Sequence, residues 1–288
     1  MRTEYKLRSR FRAFTDHAAT AIAVLSTIVV VTPLIAIFIY LLIRGFGSLN
    51  VAFFTKVPAP VGEIGGGMAN AIVGSAVLLG LASLIGVPIG IGAGIYLAEF
   101  GRGTRMAYAI RFTADVLNGV PSIVMGLAAF SLVVIPQKHF SAFAGGVALG
   151  IMMIPTICRS SEEMLLMVPH AVREAALGLG VPNWRAVLSI TVKTASPGII
   201  TGCMLAFARV AGETAPLLFT ALGNQFWSTS LNEPIAALPL QIYVYALSPY
   251  DDWHRLAWAG ALVLIVLIVL AVSLVRYVTS RGVLKGTS

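Results

Sequence analysis

Residues 159–194 read RSSEEMLLMVPHAVREAALGLGVPNWRAVLSITVKT, a charged and punctuated stretch set between two apolar runs. Its helical content comes in two pieces. In the first, Met164, Leu165, Val168, Val172 and Ala176 share one face at helical spacing, with Pro169 interrupting it. Gly178 and Gly180 close that piece, and Gly180 stands where a left-handed cap is expected. A second short helix begins at Pro182, with Trp184, Val187, Leu188 and Ile190 apolar. A hairpin this small has too little apolar area to fold alone, so it has to dock on a membrane surface or on a partner protein.

Outward from the hairpin, hydropathy sets the fold class. The chain of 288 residues is 58% hydrophobic and 11% charged, with a mean hydropathy of +0.89. Soluble domains carry about 25% charged residues. Six runs are long enough to cross ~30 Å of hydrocarbon as helix, over 18–43, 69–98, 112–135, 143–158, 195–222 and 256–275. The expected fold is all-α and polytopic, with six transmembrane helices. The net charge of +8 reflects topology rather than nucleic-acid binding. With an inner N-terminus, 15 of the 20 Lys and Arg fall on the inner side and four on the outer, leaving Arg209 inside a span. That asymmetry predicts two cytoplasmic termini and makes 159–194 the one sizeable inner loop. The start MRTEYKLRSRFRAF precedes an apolar run too long for a signal peptide, without a small-residue cleavage site, and reads as an uncleaved first span. The organisation is a basic tail (1–17), a first span and outer loop (18–67), a transmembrane domain (68–276) and an inner tail (277–288).

Within the second span, Gly86, Gly90 and Gly94 form small-xxx-small pairs that let helix backbones approach closely in lipid. Gly65–Gly67 precede it on the outer side, either as a flexible linker or as free backbone N–H groups that could meet an anion. Cys158 and Cys203 read as small buried apolar residues, and the four histidines lack metal-ligand spacing. The outer connection 223–255 carries Trp227, Tyr243, Tyr245, Tyr250 and Trp253, which suit a membrane interface.

The fifth span holds FARVAGETAPLLFT over 207–220. Ser196-Pro197 is a helix start signal, which puts Arg209 about 18 Å along the helix, past mid-depth. A lone charge there costs at least ~2.5 kcal/mol, so it has to face a partner or water. Arg209 and Glu213 stand four apart, on one helix face, and are expected to pair, beside a kink at Pro216. Two readings stay open: a self-neutralising pair that stitches helices, or an arginine lining an anion path. Arg111 and Asp115, one turn apart, are expected to pair locally, and Arg159 and Glu162 are likewise one turn apart near the inner mouth.

Glu174-Ala175-Ala176, with Gly180 and Ile190 at offsets EAA-x3-G-x9-I, resembles the EAA loop of ABC-importer permeases, although Val192-Lys193 replace the usual Leu-Pro. With GGGMANAIVGS (65–75), PIGIGAGIYLAEFGR (88–102), PSIVMGL (121–127), REAALGLGVPNW (173–184) and ARVAGETAPLLFTALGNQFWST (208–229), nearly the whole chain after the tail resembles the phosphate-importer permeases.

The resemblance implies a type I ABC importer permease fold in a bacterial inner membrane. Its partners would be a second homologous permease, two ATP-binding subunits and an extracytoplasmic phosphate-binding protein. Inorganic phosphate is the cargo, membrane lipid the surround, and nucleic acid has no part. The EAA hairpin becomes the coupling helix, with Glu174, Ala175, Ala176 and Gly180 at the ATPase, and Arg159 and Glu162 join Arg209 and Glu213 as path residues. No GxxxxGK[ST] occurs, so no cofactor is expected on this chain, which is not itself an enzyme, and ATP and magnesium belong to the partner ATPase. Alternatives are a permease for sulfate or molybdate, an ion-coupled secondary transporter in which Arg209 and Glu213 relay protons, or a scaffold subunit.

Overall fold

The computed structural model describes residues 2–61, 63 and 65–284; the last four residues of the expected inner tail lie outside them. In chain order the helices are α1 (Arg2–Phe46), α2 (Val51–Thr55), α3 (Ala69–Ile95), α4 (Arg105–Gly119), α5 (Ser122–Ala129), α6 (Ile135–Gln137), α7 (Ala142–Leu166), α8 (His170–Gly178), α9 (Asn183–Ala186), α10 (Val192–Ala211), α11 (Ala215–Thr220), α12 (Leu238–Ala246) and α13 (Asp251–Leu284). Three π turns, Tyr96–Phe100, Phe130–Val134 and Val187–Thr191, extend α3, join α5 to α6, and join α9 to α10.

Five helical stretches are long and apolar enough to cross a membrane: Thr15–Phe46, Ala69–Phe100, Ala142–Leu166, Asn183–Ala211 and Asp251–Thr279. The sixth differs from the expected straight span over 112–135. Arg105–Gly119 and Ser122–Gln137 are bent by 111° relative to each other. The cause is local. A residue before proline is pushed out of the helical region, and Val120, preceding Pro121, is extended at ψ 133.

The fifth span also begins earlier than Ser196-Pro197 implied. Helix runs on from Asn183, Pro197 lies inside α10, and the Ser196 hydroxyl donates to the Lys193 carbonyl instead of capping an N-terminus.

The core is α7 against α3, joined by two interlocking rows of glycine. A Cβ added at Gly86, Gly90 or Gly94 would come within 2.8, 2.7 and 2.6 Å of the Cβ atoms of Met153, Ile157 and Ser161. From the other side, Gly145, Gly146 and Gly150 of α7 receive Leu78, Leu81 and Ile85. In lipid, where apolar burial drives little association, this backbone approach supplies the packing energy. Gly198 and Gly202 of α10 meet Met164 and Ser160 on another side of α7.

The end opposite the 159–194 hairpin, which the loop charges assign to the outside, is closed by the segment before α12. Ile235, Ala236, Ala237 and Leu238 are buried, and the Leu238 N–H donates to Ser75 Oγ at 2.7 Å. The first amides of α7, normally without helical acceptors, find them here: Ser141, Ala142 and Phe143 donate to the carbonyls of Thr220, Glu233 and Leu231 at 3.1, 2.9 and 2.9 Å. By contrast, α1 is exposed along most of its apolar length. It touches the rest of the chain near its outer end, where Leu41 is buried and Tyr40 meets Trp258 edge to face at 5.0 Å.

Candidate functional site

Three groups of charged residues run from the middle of the spans to the hairpin end, which the loop charges assign to the inside. The contacts of Gly198 with Met164 and Gly202 with Ser160 fix the antiparallel register of α10 on α7. Extended by seven residues, that register sets Arg209 level with Met153, close to the midpoint of α7. Arg159 then lies about 9 Å further inward and Glu162 about 14 Å.

At mid-membrane, the expected Arg209–Glu213 pair does not form. The helix stops at Ala211, Gly212 caps it, and a new short helix starts at Ala215 with Pro216 in its first turn. The break replaces the anticipated kink, because Pro216 is favoured at a helix start and excluded from an interior. Glu213 therefore falls in the break rather than one turn above Arg209. Neither side chain has an ion-pair partner among the described residues. Arg209 continues the exposed row of Thr201 and Leu205 on an α10 face that this chain leaves uncovered. Its cation also occupies the last turn of α10, where the carbonyl end of the helix favours positive charge.

The inner group is fully paired, and it reaches across helices. Glu162 is 3% exposed and shares its two oxygens, Oε1 taking Arg111 Nε at 2.6 Å and Oε2 taking Arg159 Nη1 at 2.9 Å. Arg159 Nε also meets Asp115 Oδ1 at 3.1 Å. So Arg111 and Asp115 do not pair locally as expected; each crosses from α4 to α7. The 111° turn lays α4 over the inner end of α7 and makes this crossing possible. Two arginines and two carboxylates cancel, which satisfies the rule that buried charges be paired. Arg111 and Asp115 were absent from the expected path set, and a separation of 51 residues between Arg111 and Glu162 gives no local sign of the contact.

The hairpin forms the third group. Gly180 has φ +76, the left-handed cap its position required. Ala176 is buried, Glu174 and Ala175 are exposed, and Leu177, Leu179, Trp184 and Leu188 present apolar surface outward. The root of the hairpin is held by Arg173, whose guanidinium meets Glu99 at 2.7 Å with both side chains largely buried. Neither residue was singled out in the sequence.

Where the glycine-rich approach meets α3, the described amides are already taken. The N–H groups of Gly67, Met68 and Ala69 donate to the carbonyls of Val57, Phe53 and Lys56.

Residues 86–282 match the family model described as "Binding-protein-dependent transport system inner membrane component". The chain belongs to that family. It is 46% identical to the phosphate transport system permease protein PstA of Haemophilus influenzae over 275 residues, covering 95% of this chain and 96% of that one. It is 48% identical over 238 residues to the protein of the same description from Yersinia pestis, covering 83% and 81%. Among solved structures, the inward-facing MetNI methionine ABC transporter aligns with a TM-score of 0.56 at 19% identity, covering 75% of this permease and 95% of that chain. That likeness shows the fold, the type I importer permease architecture.

Proposed function

We propose that this chain is the transmembrane permease subunit of an ATP-driven importer of inorganic phosphate, working with a second homologous permease, two ATP-binding subunits and an extracytoplasmic phosphate-binding protein. The near-full-length identity to proteins named as phosphate transport permeases supports the substrate. The exposed apolar tip of the hairpin supports the ATPase contact: Leu179 is 85% exposed and Trp184 61%. Both termini face the cytoplasm on the charge asymmetry of the loops.

The observation that carries the path is Arg209. A guanidinium at mid-membrane, without an ion-pair partner among the described residues and beside a break in the helix, calls for a partner from outside the chain. Many secondary transporters place their substrate sites at helices broken near mid-depth, and the same physics would serve here. Guanidinium matches phosphate oxygens with forked donors and stays charged at every physiological pH. Glu213 lies in the same break and tempers the positive potential, so that phosphate binds weakly enough to leave. The Arg159–Glu162 pair, with Arg111 and Asp115, forms the second station at the inner mouth. There phosphate competes with Glu162 for the two guanidiniums.

The test is ATP-dependent phosphate uptake by vesicles carrying the assembled transporter, with and without this chain. Uptake is expected to require the chain and to be lost in Arg209→Gln while all subunits still co-purify. Normal uptake kinetics in that variant would remove Arg209 from the path, and sulfate transported in place of phosphate would change the substrate.

A further inference from the structure

We infer that Arg173 and Glu99 form a buried strut that welds the cytoplasmic hairpin to two membrane helices at once, and that this strut converts hairpin movement into movement of the path. The inference rests on the reading of 159–194 as the ATPase-coupling hairpin.

The contact is dense. Arg173 Nε and Nη2 reach Glu99 Oε1 at 3.1 and 2.7 Å, Nη1 donates to the Val168 carbonyl at 2.9 Å, and Nη2 donates to the Leu165 carbonyl at 2.7 Å. All three guanidinium nitrogens are used. The side chains are 13% and 8% exposed, so water competes little for them. Leu165 lies in the last turn of α7 and Val168 just past its C-terminal cap, at the end where the helix dipole is negative. Glu99 belongs to the π turn that closes α3. Such a turn inserts one extra residue, which rotates the residues after it by about 100° about the helix axis. One guanidinium thus joins α3, α7 and α8.

Besides the strut, the root is packed by Leu165 and Val168, both buried in the core. Within α8 the buried residue is Ala176, and beyond the cap come Ala186, Val187 and Thr191. A hairpin held at its far end only by chain continuity would swing when pushed. Held also by the strut, it has to carry α7 with it, and α7 bears Arg159 and Glu162 and is locked to α3 through the glycine rows. Lysine replaces the arginine only in part: one ammonium could take the place of Nη2 between Glu99 and the Leu165 carbonyl, but the Val168 carbonyl and the second Glu99 contact would lose their donors. Exchanging the two charges fails, since a carboxylate at 173 would face the carbonyls of Leu165 and Val168.

The experiment uses the complete transporter, with both permeases, the ATPase subunits and the binding protein reconstituted in proteoliposomes. Phosphate uptake and ATP hydrolysis are measured together for Arg173→Lys and Glu99→Gln. ATP consumed per phosphate imported is expected to rise about tenfold, within the usual range of coupling between sites, with the ATPase subunits still co-purifying. Uptake and hydrolysis falling in parallel at an unchanged ratio would make the contact merely structural and overturn the inference, as would wild-type behaviour. Leu179→Asp at the hairpin tip tests the underlying reading separately. If ATPase subunits bind and respond normally to that variant, the hairpin is not the coupling element, whatever Arg173 does.

Discussion

Arg209 and Arg159 stand about 9 Å apart along the membrane normal, and the chain treats them in opposite ways. Arg159 sits in a closed circuit: its two neighbours Glu162 and Asp115 take its donors, and Glu162 also takes Arg111. Arg209 has been given no ion pair among the described residues and looks out from an uncovered helix face. A satisfied charge network explains itself as a fastening between α4 and α7. An unsatisfied cation at mid-membrane is explained only by something the chain lacks, a neighbouring subunit or a passing anion. The comparison teaches that the two arginines differ in what their removal breaks: losing Arg159 opens the α4–α7 fastening along with the second station, whereas losing Arg209 leaves the fold intact and stops transport.

Glu162→Gln is the severest test of that division. It strips a buried carboxylate from between two guanidiniums, a change that costs about 3–5 kcal/mol when one partner of a buried pair is removed. The detergent-purified complex is expected to melt earlier, with hydrogen exchange accelerated over α4; a wild-type melting curve would mean that the network holds nothing. Arg209→Gln follows, with the opposite profile. Losing a charge-assisted contact worth about 1.5–3 kcal/mol lowers phosphate uptake by roughly ten- to hundredfold, with an unchanged melting temperature. A large loss of stability in this variant would place Arg209 with the structural charges and erase the distinction.

Smaller effects sharpen the picture of the scaffold between the two sites. Gly94→Ala sets a Cβ 2.6 Å from that of Ser161 and is expected to destabilise by about 1–3 kcal/mol through overpacking. Gly92→Ala meets nothing within 4 Å and is expected to be neutral or to stabilise by about 0.5–1 kcal/mol through helix propensity. Equal melting shifts for the two would show that α3 and α7 are not locked along this row. The smallest effect belongs to Asp115→Asn: the side chain is 57% exposed, and exposed pairs contribute about 0–1 kcal/mol. A shift matching that of Glu162→Gln would move the centre of the network to α4.

Much of this architecture is written in short-range sequence. Apolar run lengths locate the spans, the four-residue glycine spacing names the face of α3 that meets α7, and Gly180 announces its left-handed turn. What escaped was either a competition between local signals or a contact across sequence. Pro121 bends a run that hydropathy alone reads as straight, because hydropathy counts apolar residues and not backbone geometry. Ser196-Pro197 looks like a helix start, yet helix already propagating from Asn183 carries through it. At Pro216 the choice between kink and break depends on Gly212 and Glu213, and the break undid the pairing that four-residue spacing implied. Arg111, the second partner of Glu162, and Arg173, the partner of Glu99, lie 51 and 74 residues away from them, and only the assembled fold brings them together.

The stitching of the outer mouth carries one more consequence. The amides of Ser141, Ala142 and Phe143 are held by carbonyls of Thr220, at the end of α11, and of Glu233 and Leu231, from the segment that closes the outer end. The N–H groups of Ala142 and Phe143 are therefore natural reporters of an outward-open state. Whenever the transporter admits a ligand from outside by lifting this segment, their protection against deuterium would lapse. The fraction of time spent open is then readable from two consecutive amides, with no label attached to the protein.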